Sequence, residues 1–98
     1  MHLTAEQLDT IRTYFAARPV KRAWLFGSYA RGEADETSDV DLLVDLDETQ
    51  KLGWEIALWP ADLRDQLRVP GVDVVPARSV YRNLRPFIQQ DQLLIYEK

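Results

Sequence analysis

Apolar residues recur three and four positions apart near the start of the chain, in the set Leu8, Ile11 and Phe15. This spacing places them on one face of an amphipathic helix. Thr4 and Gln7 match the capping-box pattern, in which each side chain bonds a backbone N–H group of the other residue. We predict a helix that begins after Thr4 and ends near Arg18-Pro19, because the residue before a proline is displaced from helical geometry.

Four apolar segments have the length and composition of β-strands, at residues 20–26, 40–46, 72–75 and 93–96. The segment 40–46 is almost continuous in valine and leucine, which favours a strand that is covered on both faces. The segment 93–96 is short and is predicted to form an edge strand of the sheet.

Helical segments are predicted between these strands. A short turn over residues 28–32 ends at Gly32, and a longer helix is expected at 49–58. Pro60 suits the first turn of another helix, which runs to about residue 67. A final helix is predicted over 79–90, where Pro86 introduces a kink or opens the second half. This alternation predicts an α/β (α+β) fold with one sheet, in a single domain spanning 1–98.

Composition excludes several kinds of site. The sequence contains no cysteine and a single histidine, His2, and its formal net charge is −4. Thiolate metal sites are therefore excluded, imidazole catalysis is not expected, and direct binding to nucleic acid is disfavoured. No apolar run approaches the roughly 20 residues that span a bilayer, and no signal-peptide pattern is present, so we expect a cytoplasmic protein without a membrane segment. Composition does not exclude a site in which carboxylates bind a hard cation.

Two acids, Asp39 and Asp41, lie two residues apart where the strand at 40–46 begins. Residues i and i+2 of a strand point to the same face, so these carboxylates can ligate a shared Mg²⁺. Asp73 is the one acid in an apolar strand and is the candidate third ligand if that strand pairs with 40–46. The alternatives are that Asp39 caps the turn after Ser38 and that Asp73 is a solvated strand-end acid.

Gly27 and Ser28 follow the first predicted strand, at the start of a short helical turn. A glycine there allows close approach of the backbone to a ligand, and a serine offers its hydroxyl and N–H groups to an anion. Arg31 is a candidate to neutralise phosphate or to hold the acids, with a purely surface role as the alternative. A phosphate cradle that faces paired carboxylates is what phosphoryl or nucleotidyl transfer requires.

These motifs resemble the signature of the DNA polymerase β-like nucleotidyltransferase superfamily. The pair Gly27-Ser28, ten intervening residues, and Asp39-Val40-Asp41 fall in the order of that signature. The stretches GSYARG (27–32) and SDVDLLV (38–44) are similar to the minimal, MNT-type members. The resemblance implies a mixed sheet flanked by helices, two Mg²⁺ ions held by Asp39, Asp41 and Asp73, and a nucleoside triphosphate, here expected to be ATP, bound by Gly27 and Ser28. It also implies transfer of a nucleoside monophosphate, with Asp73 assisting deprotonation of the acceptor.

The acceptor implied by the resemblance is a protein. Minimal members resemble the antitoxin of two-gene toxin–antitoxin systems, which transfers AMP from ATP to a tyrosine of a helical HEPN ribonuclease toxin. Two alternatives stay open: transfer to a small hydroxylated molecule, as in aminoglycoside nucleotidyltransferases, and a non-catalytic antitoxin that acts by binding. Ten aromatic residues are many for a chain of 98, and they predict a docking surface around Trp54 and Trp59 or along 87–96.

Overall fold

The computed structural model describes residues 1–50, 53–79 and 90–98. Its elements follow in chain order: α1 (Ala5–Ala16), β1 (Val20–Phe26), α2 (Gly27–Arg31), β2 (Val40–Leu46), a 3₁₀ helix (Trp54–Leu58), α3 (Trp59–Leu67), β3 (Val72–Pro76), a second 3₁₀ helix (Ala77–Ser79) and β4 (Leu93–Glu97). The helix predicted over 79–90 lies almost wholly outside the described residues.

The four strands form one mixed sheet in the order β3-β2-β1-β4. Strand β1 pairs antiparallel with β2 and with β4, whereas β3 runs parallel to β2. The predicted α/β fold with a mixed sheet and an edge strand near the C-terminus is therefore confirmed. The parallel β2–β3 pair brings the starts of both strands to the same end of the sheet.

The predicted capping box is present at the start of α1. The Gln7 N–H donates to the Thr4 hydroxyl oxygen at 3.0 Å, and the Thr4 N–H donates to the Gln7 side-chain oxygen at 2.9 Å. Pro60 lies in the first turn of α3, as predicted. Local rules of this kind hold because the groups involved lie within one helical turn of each other.

The α-helix predicted over 49–58 is wrong. The Asp47 side chain accepts hydrogen bonds from the Thr49 N–H at 3.1 Å and from the Thr49 hydroxyl, so the segment begins as a turn. Asp side chains that bond the backbone two residues on compete with helix formation. The described part of the segment then contains only the 3₁₀ helix Trp54–Leu58.

The helices α1 and α3 share one hydrophobic core with the sheet. Alternate residues of β2 belong to this core: Val40, Leu42, Val44 and Leu46. Asp41 and Asp45 point to the opposite face and are half-buried, so the prediction that both faces of β2 are covered holds only in part. The acid at position 41 is thereby held on a strand anchored by its neighbours in the core.

A polar contact joins α1 to α3 at the edge of the core. The Tyr14 hydroxyl donates to Asp62 at 2.7 Å, and the Arg18 guanidinium lies over the Tyr14 ring at 3.4 Å from its centre. Burial and the bond to Asp62 raise the pKa of Tyr14 to about 12. The phenol therefore stays a hydrogen-bond donor at every physiological pH.

Of the two tryptophans around which a docking surface is predicted, one is buried and the other is exposed. Trp59 is 2% exposed and packs against Phe15 in the core, whereas Trp54 is 77% exposed. Trp59 is the first residue of α3, and its ring belongs to the core that this helix shares with α1. Within the ranges described above, no helix is both long and apolar enough to cross a membrane.

Candidate active site

Two of the three predicted acids face each other across neighbouring strands. The parallel register of β2 and β3 pairs Asp41 directly with Asp73, so the strand pairing that the role of Asp73 required is present. Residues paired in this way project from the same face of a sheet. Asp73 is exposed and Asp41 is half-buried, so both carboxylates are accessible to solvent, Asp73 more so.

The charges of the acids act on one another. Burial, together with the negative charges of Asp73 and Asp39, raises the pKa of Asp41 to about 6. The positive charge of Arg31 opposes this effect. The four predicted residues thus form one electrostatic unit, and its net negative charge favours a bound cation.

The Asp41 carboxylate lies against the backbone of Gly27. Gly27 directly follows β1, whose last residue, Phe26, is paired with Asp41. A β-carbon at position 27 would collide with the carboxylate oxygen and lie 3.2 Å from Asp41 Cγ. Gly27 also has a left-handed φ of +74°. Both features require glycine, and they place the start of α2 beside the acids.

Ser28 and Arg31 are carried by α2. The residue that caps this helix, Phe26, supplies no side-chain hydrogen bond to the first turn. Arg31 forms ion pairs with Glu33 at 3.0 Å and with Asp91 at 3.2 Å. Ion pairs near the surface are weak, so Arg31 can exchange them for a phosphate. Its roles in binding phosphate, in holding the acids and at the surface therefore all remain open.

The turn before β2 is organised by Asp35 and not by Asp39. Asp35 accepts hydrogen bonds from the Thr37 N–H at 2.8 Å and from the Thr37 hydroxyl at 2.7 Å, which lower the pKa of its carboxyl group. The alternative that Asp39 caps this turn is therefore disfavoured. Asp39 is exposed, and its carboxylate lies against the backbone of Gly71. The pattern Asp-x-Thr is typical of an Asx turn and could have identified Asp35 from the sequence.

The acids fit a hard cation by their chemistry. All three are carboxylates, the ligands that Mg²⁺ prefers, and the bare backbones of Gly27 and Gly71 leave the space that the Asp41 and Asp39 carboxylates occupy. Among residues 1–50, 53–79 and 90–98, however, no three acidic, histidine or cysteine side chains converge closely enough to ligate an ion as they stand. A shared metal site therefore requires at least one of the acids to change its side-chain conformation.

Substitution of Gly27 tests the contact with Asp41. We expect Gly27→Ala to abolish activity and to lower the free energy of unfolding by more than about 1–2 kcal/mol, the cost of a left-handed alanine alone. Gly32→Ala is the matched control, because Gly32 has the same φ of +74° but its β-carbon would meet only the exposed His2 ring, at 3.0 Å. Equal losses of stability in the two variants, measured by urea denaturation, would contradict the contact.

The raised pKa of Asp41 predicts a pH dependence of stability in the presence of a chelator. The folded pKa of about 6 lies above the unfolded value of 3.8, so the folded state binds the proton more tightly. This contribution favours folding below about pH 4 and is lost as the pH rises towards and past 6. We expect the free energy of unfolding of Asp41→Asn to exceed that of wild type by an amount that grows as the pH rises through this range. A difference that does not change with pH would refute the raised pKa of Asp41.

Most of the chain matches a known protein family. The family described as "Nucleotidyltransferase domain" matches residues 8–96. A protein of Methanocaldococcus jannaschii described as a "Putative protein adenylyltransferase" is 33% identical over 79 residues, which cover 79% of this chain and 76% of the relative. The resemblance inferred from the motifs is therefore confirmed.

Solved structures agree with this fold. A structure described as a "putative minimal nucleotidyltransferase" superposes with a TM-score of 0.74 and 33% identity, over 90% of this chain and 88% of the other. A chain from a complex of the tri-AMPylated HEPN toxin of Shewanella oneidensis with its MNT antitoxin has a TM-score of 0.68 and 22% identity, over 95% and 71% of the two chains. At that identity, the second likeness shows the fold alone.

Proposed function

This chain belongs to the nucleotidyltransferase domain family, and from that premise we propose that it is an antitoxin that transfers AMP from ATP to a tyrosine of a HEPN-type toxin. The protein adenylyltransferase description of the archaeal relative supports a protein acceptor. The complex that contains an AMPylated HEPN toxin and an MNT antitoxin supports the kind of partner. The observation that carries the proposal is the direct pairing of Asp41 with Asp73 beside the glycine at position 27.

The proposed reaction forms one bond to phosphorus, breaks another and transfers one proton. The phenolic oxygen of the acceptor tyrosine attacks the α-phosphorus of ATP, and the bond from that phosphorus to the bridging oxygen of the β-phosphate breaks. Pyrophosphate leaves, and the phenolic proton passes to the Asp73 carboxylate. Asp73 is suited to this role because it is exposed and can be reached by a residue of another protein.

The triphosphate is bound by residues of α2 in this proposal. Ser28 offers its hydroxyl and backbone N–H at the start of the helix, and the bare backbone of Gly27 allows close approach. Arg31 exchanges its ion pairs with Glu33 and Asp91 for phosphate oxygens. Asp39, Asp41 and Asp73 would hold Mg²⁺, with two ions as the proposed number. A bound Mg²⁺ supplies neutralisation of phosphate charge as the transfer proceeds.

Exposed apolar side chains provide surface for a partner. Trp54 is 77% exposed, and Leu93 and Leu94 of β4 are 50% and 51% exposed. Aromatic residues are enriched at the cores of protein interfaces, so we propose that a helical partner covers Trp54 or the strand β4. A cytoplasmic location stays a prediction.

Incubation with ATP labelled at the α-phosphate tests the class of acceptor. The mixture contains Mg²⁺ and either a HEPN protein encoded by a neighbouring gene or a panel of aminoglycosides. We expect label on the HEPN protein and none on the small molecules. Label on a small molecule alone would replace the protein acceptor with a small one. Inhibition of the toxin without label would indicate an antitoxin that acts only by binding.

A further inference from the structure

The loop before β3 contains a glycine, Gly71, whose backbone lies against the carboxylate of Asp39. We propose that Gly71 is a positioning residue of the metal site, because its lack of a side chain leaves the space that the Asp39 carboxylate occupies. This inference rests on the proposed function, in which Asp39 holds Mg²⁺. In the sequence, Pro70-Gly71 is a turn signal before β3, and no motif places Gly71 in the site.

The contact leaves no room for a β-carbon while the Asp39 carboxylate keeps its position. A β-carbon at position 71 would lie 2.6 Å from Oδ1 and 3.1 Å from Cγ of Asp39. Real β-carbons essentially never lie within 3.0 Å of another heavy atom. Any other residue at position 71 therefore requires the Asp39 carboxylate or the backbone to move.

The backbone on both sides of the contact is fixed. The Val40 N–H donates a hydrogen bond of 3.0 Å to the Gly71 carbonyl, and Val40 is paired with Val72 in the β2–β3 ladder. Val40 lies between the two acids and is 0% exposed. The exposed Asp39 side chain is the part that can move, so a β-carbon at position 71 would displace the ligand and leave the strands in place.

Backbone conformation does not explain the glycine. In the part of the chain that the structure describes, the glycines with left-handed φ are Gly27 and Gly32. Position 71 is therefore accessible to alanine as far as the backbone is concerned. The close approach of Asp39 is the feature that requires glycine there.

Gly53 offers a matched control. A β-carbon at position 53 would lie 2.5 Å from Oε2 of Glu55, so it also meets a carboxylate. Gly53 has a φ of −108°, which alanine tolerates, and Glu55 is exposed on the 3₁₀ helix. Gly53→Ala therefore makes the same chemical change as Gly71→Ala and also places a β-carbon against a carboxylate. The acid that it meets, Glu55, is not part of the proposed site.

Binding of Mn²⁺ in the presence of a non-hydrolysable ATP analogue tests the proposal without any transfer. We expect Gly71→Ala to weaken Mn²⁺ binding at least about tenfold, as loss of support for a metal ligand commonly does. Gly71→Val should weaken it further, and Gly53→Ala should bind as wild type does. The thermal unfolding midpoint of metal-free Gly71→Ala should stay close to that of wild type.

Transfer assays give a second readout. In Gly71→Ala, the metal concentration that gives half-maximal transfer should rise by a similar factor, while the KM for the acceptor protein stays unchanged. A purely structural role would instead lower the unfolding midpoint and leave the metal dependence unaltered, and that result would overturn the proposal.

The outcomes also separate this proposal from the function on which it rests. If Gly71→Ala binds Mn²⁺ as tightly as wild type does and Asp39→Asn binds it more weakly, the role of Gly71 is overturned and the proposed metal site stays intact. Unchanged affinity in Asp39→Asn, or no binding by wild type, would overturn the metal site and the role of Gly71 together.

Discussion

Replacement of Asp41 by asparagine is expected to abolish nucleotidyl transfer and, in metal-free protein, to stabilise the fold. Loss of a metal ligand removes several kcal/mol of transition-state stabilisation, which corresponds to a fall in rate of about 10³-fold or more. Stability should rise because the ionised carboxylate is half-buried and repelled by Asp73 and Asp39, which is why its pKa is raised to about 6. Screening by solvent reduces the expected gain to about 1 kcal/mol at neutral pH.

The control for this variant lies on the same strand. Asp45→Asn changes an acid four residues along β2, on the same face, whose carboxylate is bound by Arg22 at 2.9 Å. Asp45→Asn should retain full transfer activity. Its free energy of unfolding should fall by no more than about 1 kcal/mol, the usual contribution of an ion pair near the surface. Single-turnover assays and urea denaturation measure both properties. Full activity in Asp41→Asn would remove Asp41 from the site, and unfolding of that variant would indicate a structural role.

Replacement of Asp73 by asparagine is expected to separate turnover from nucleotide binding. Asp73 is proposed to accept the proton of the acceptor hydroxyl, and loss of a general base lowers rates by about 10²–10⁴-fold. ATP binding should persist, because Asp39, Asp41 and the residues of α2 remain. Titration calorimetry with ATP and Mg²⁺, alongside transfer assays, measures the two effects separately.

An acid on the surface of α3 serves as the control for this second variant. Asp65 pairs with its neighbour Arg64 at 3.2 Å and is exposed, so Asp65→Asn should leave ATP affinity and turnover unchanged. If Asp73→Asn also leaves both quantities unchanged, Asp73 is only a solvated strand-end acid. Another carboxylate must then serve as the base.

The sheet and the acid pair could be predicted because their signals are local. Continuous valine and leucine marked β2, and the apolar run before Gly27 marked β1 with the bounds that the structure has. The position of Asp73 opposite Asp41 required one assumption, that β2 and β3 pair, and the structure confirms it. The mixed sheet followed from the family resemblance and not from the apolar pattern.

The contacts that complete the site could not be predicted because they join distant parts of the chain. Arg31 meets Asp91 across 60 positions, and Gly71 meets Asp39 only because β3 lies beside β2. No local pattern encodes either pair. The helix predicted over 49–58 failed for a different reason, since the Asp47 side chain bonds the backbone of Thr49 and starts a turn at the residue where the helix was predicted to begin.

Mass spectrometry of a HEPN partner tests the central claim most directly. The partner is incubated with ATP, Mg²⁺ and either the wild-type chain, Asp41→Asn or Asp45→Asn, and its intact mass and modified peptides are then measured. We expect addition of AMP to a tyrosine by wild type and Asp45→Asn, and no addition by Asp41→Asn or in the presence of a chelator. An unmodified partner with wild type, or an equally modified partner with Asp41→Asn, would contradict this claim.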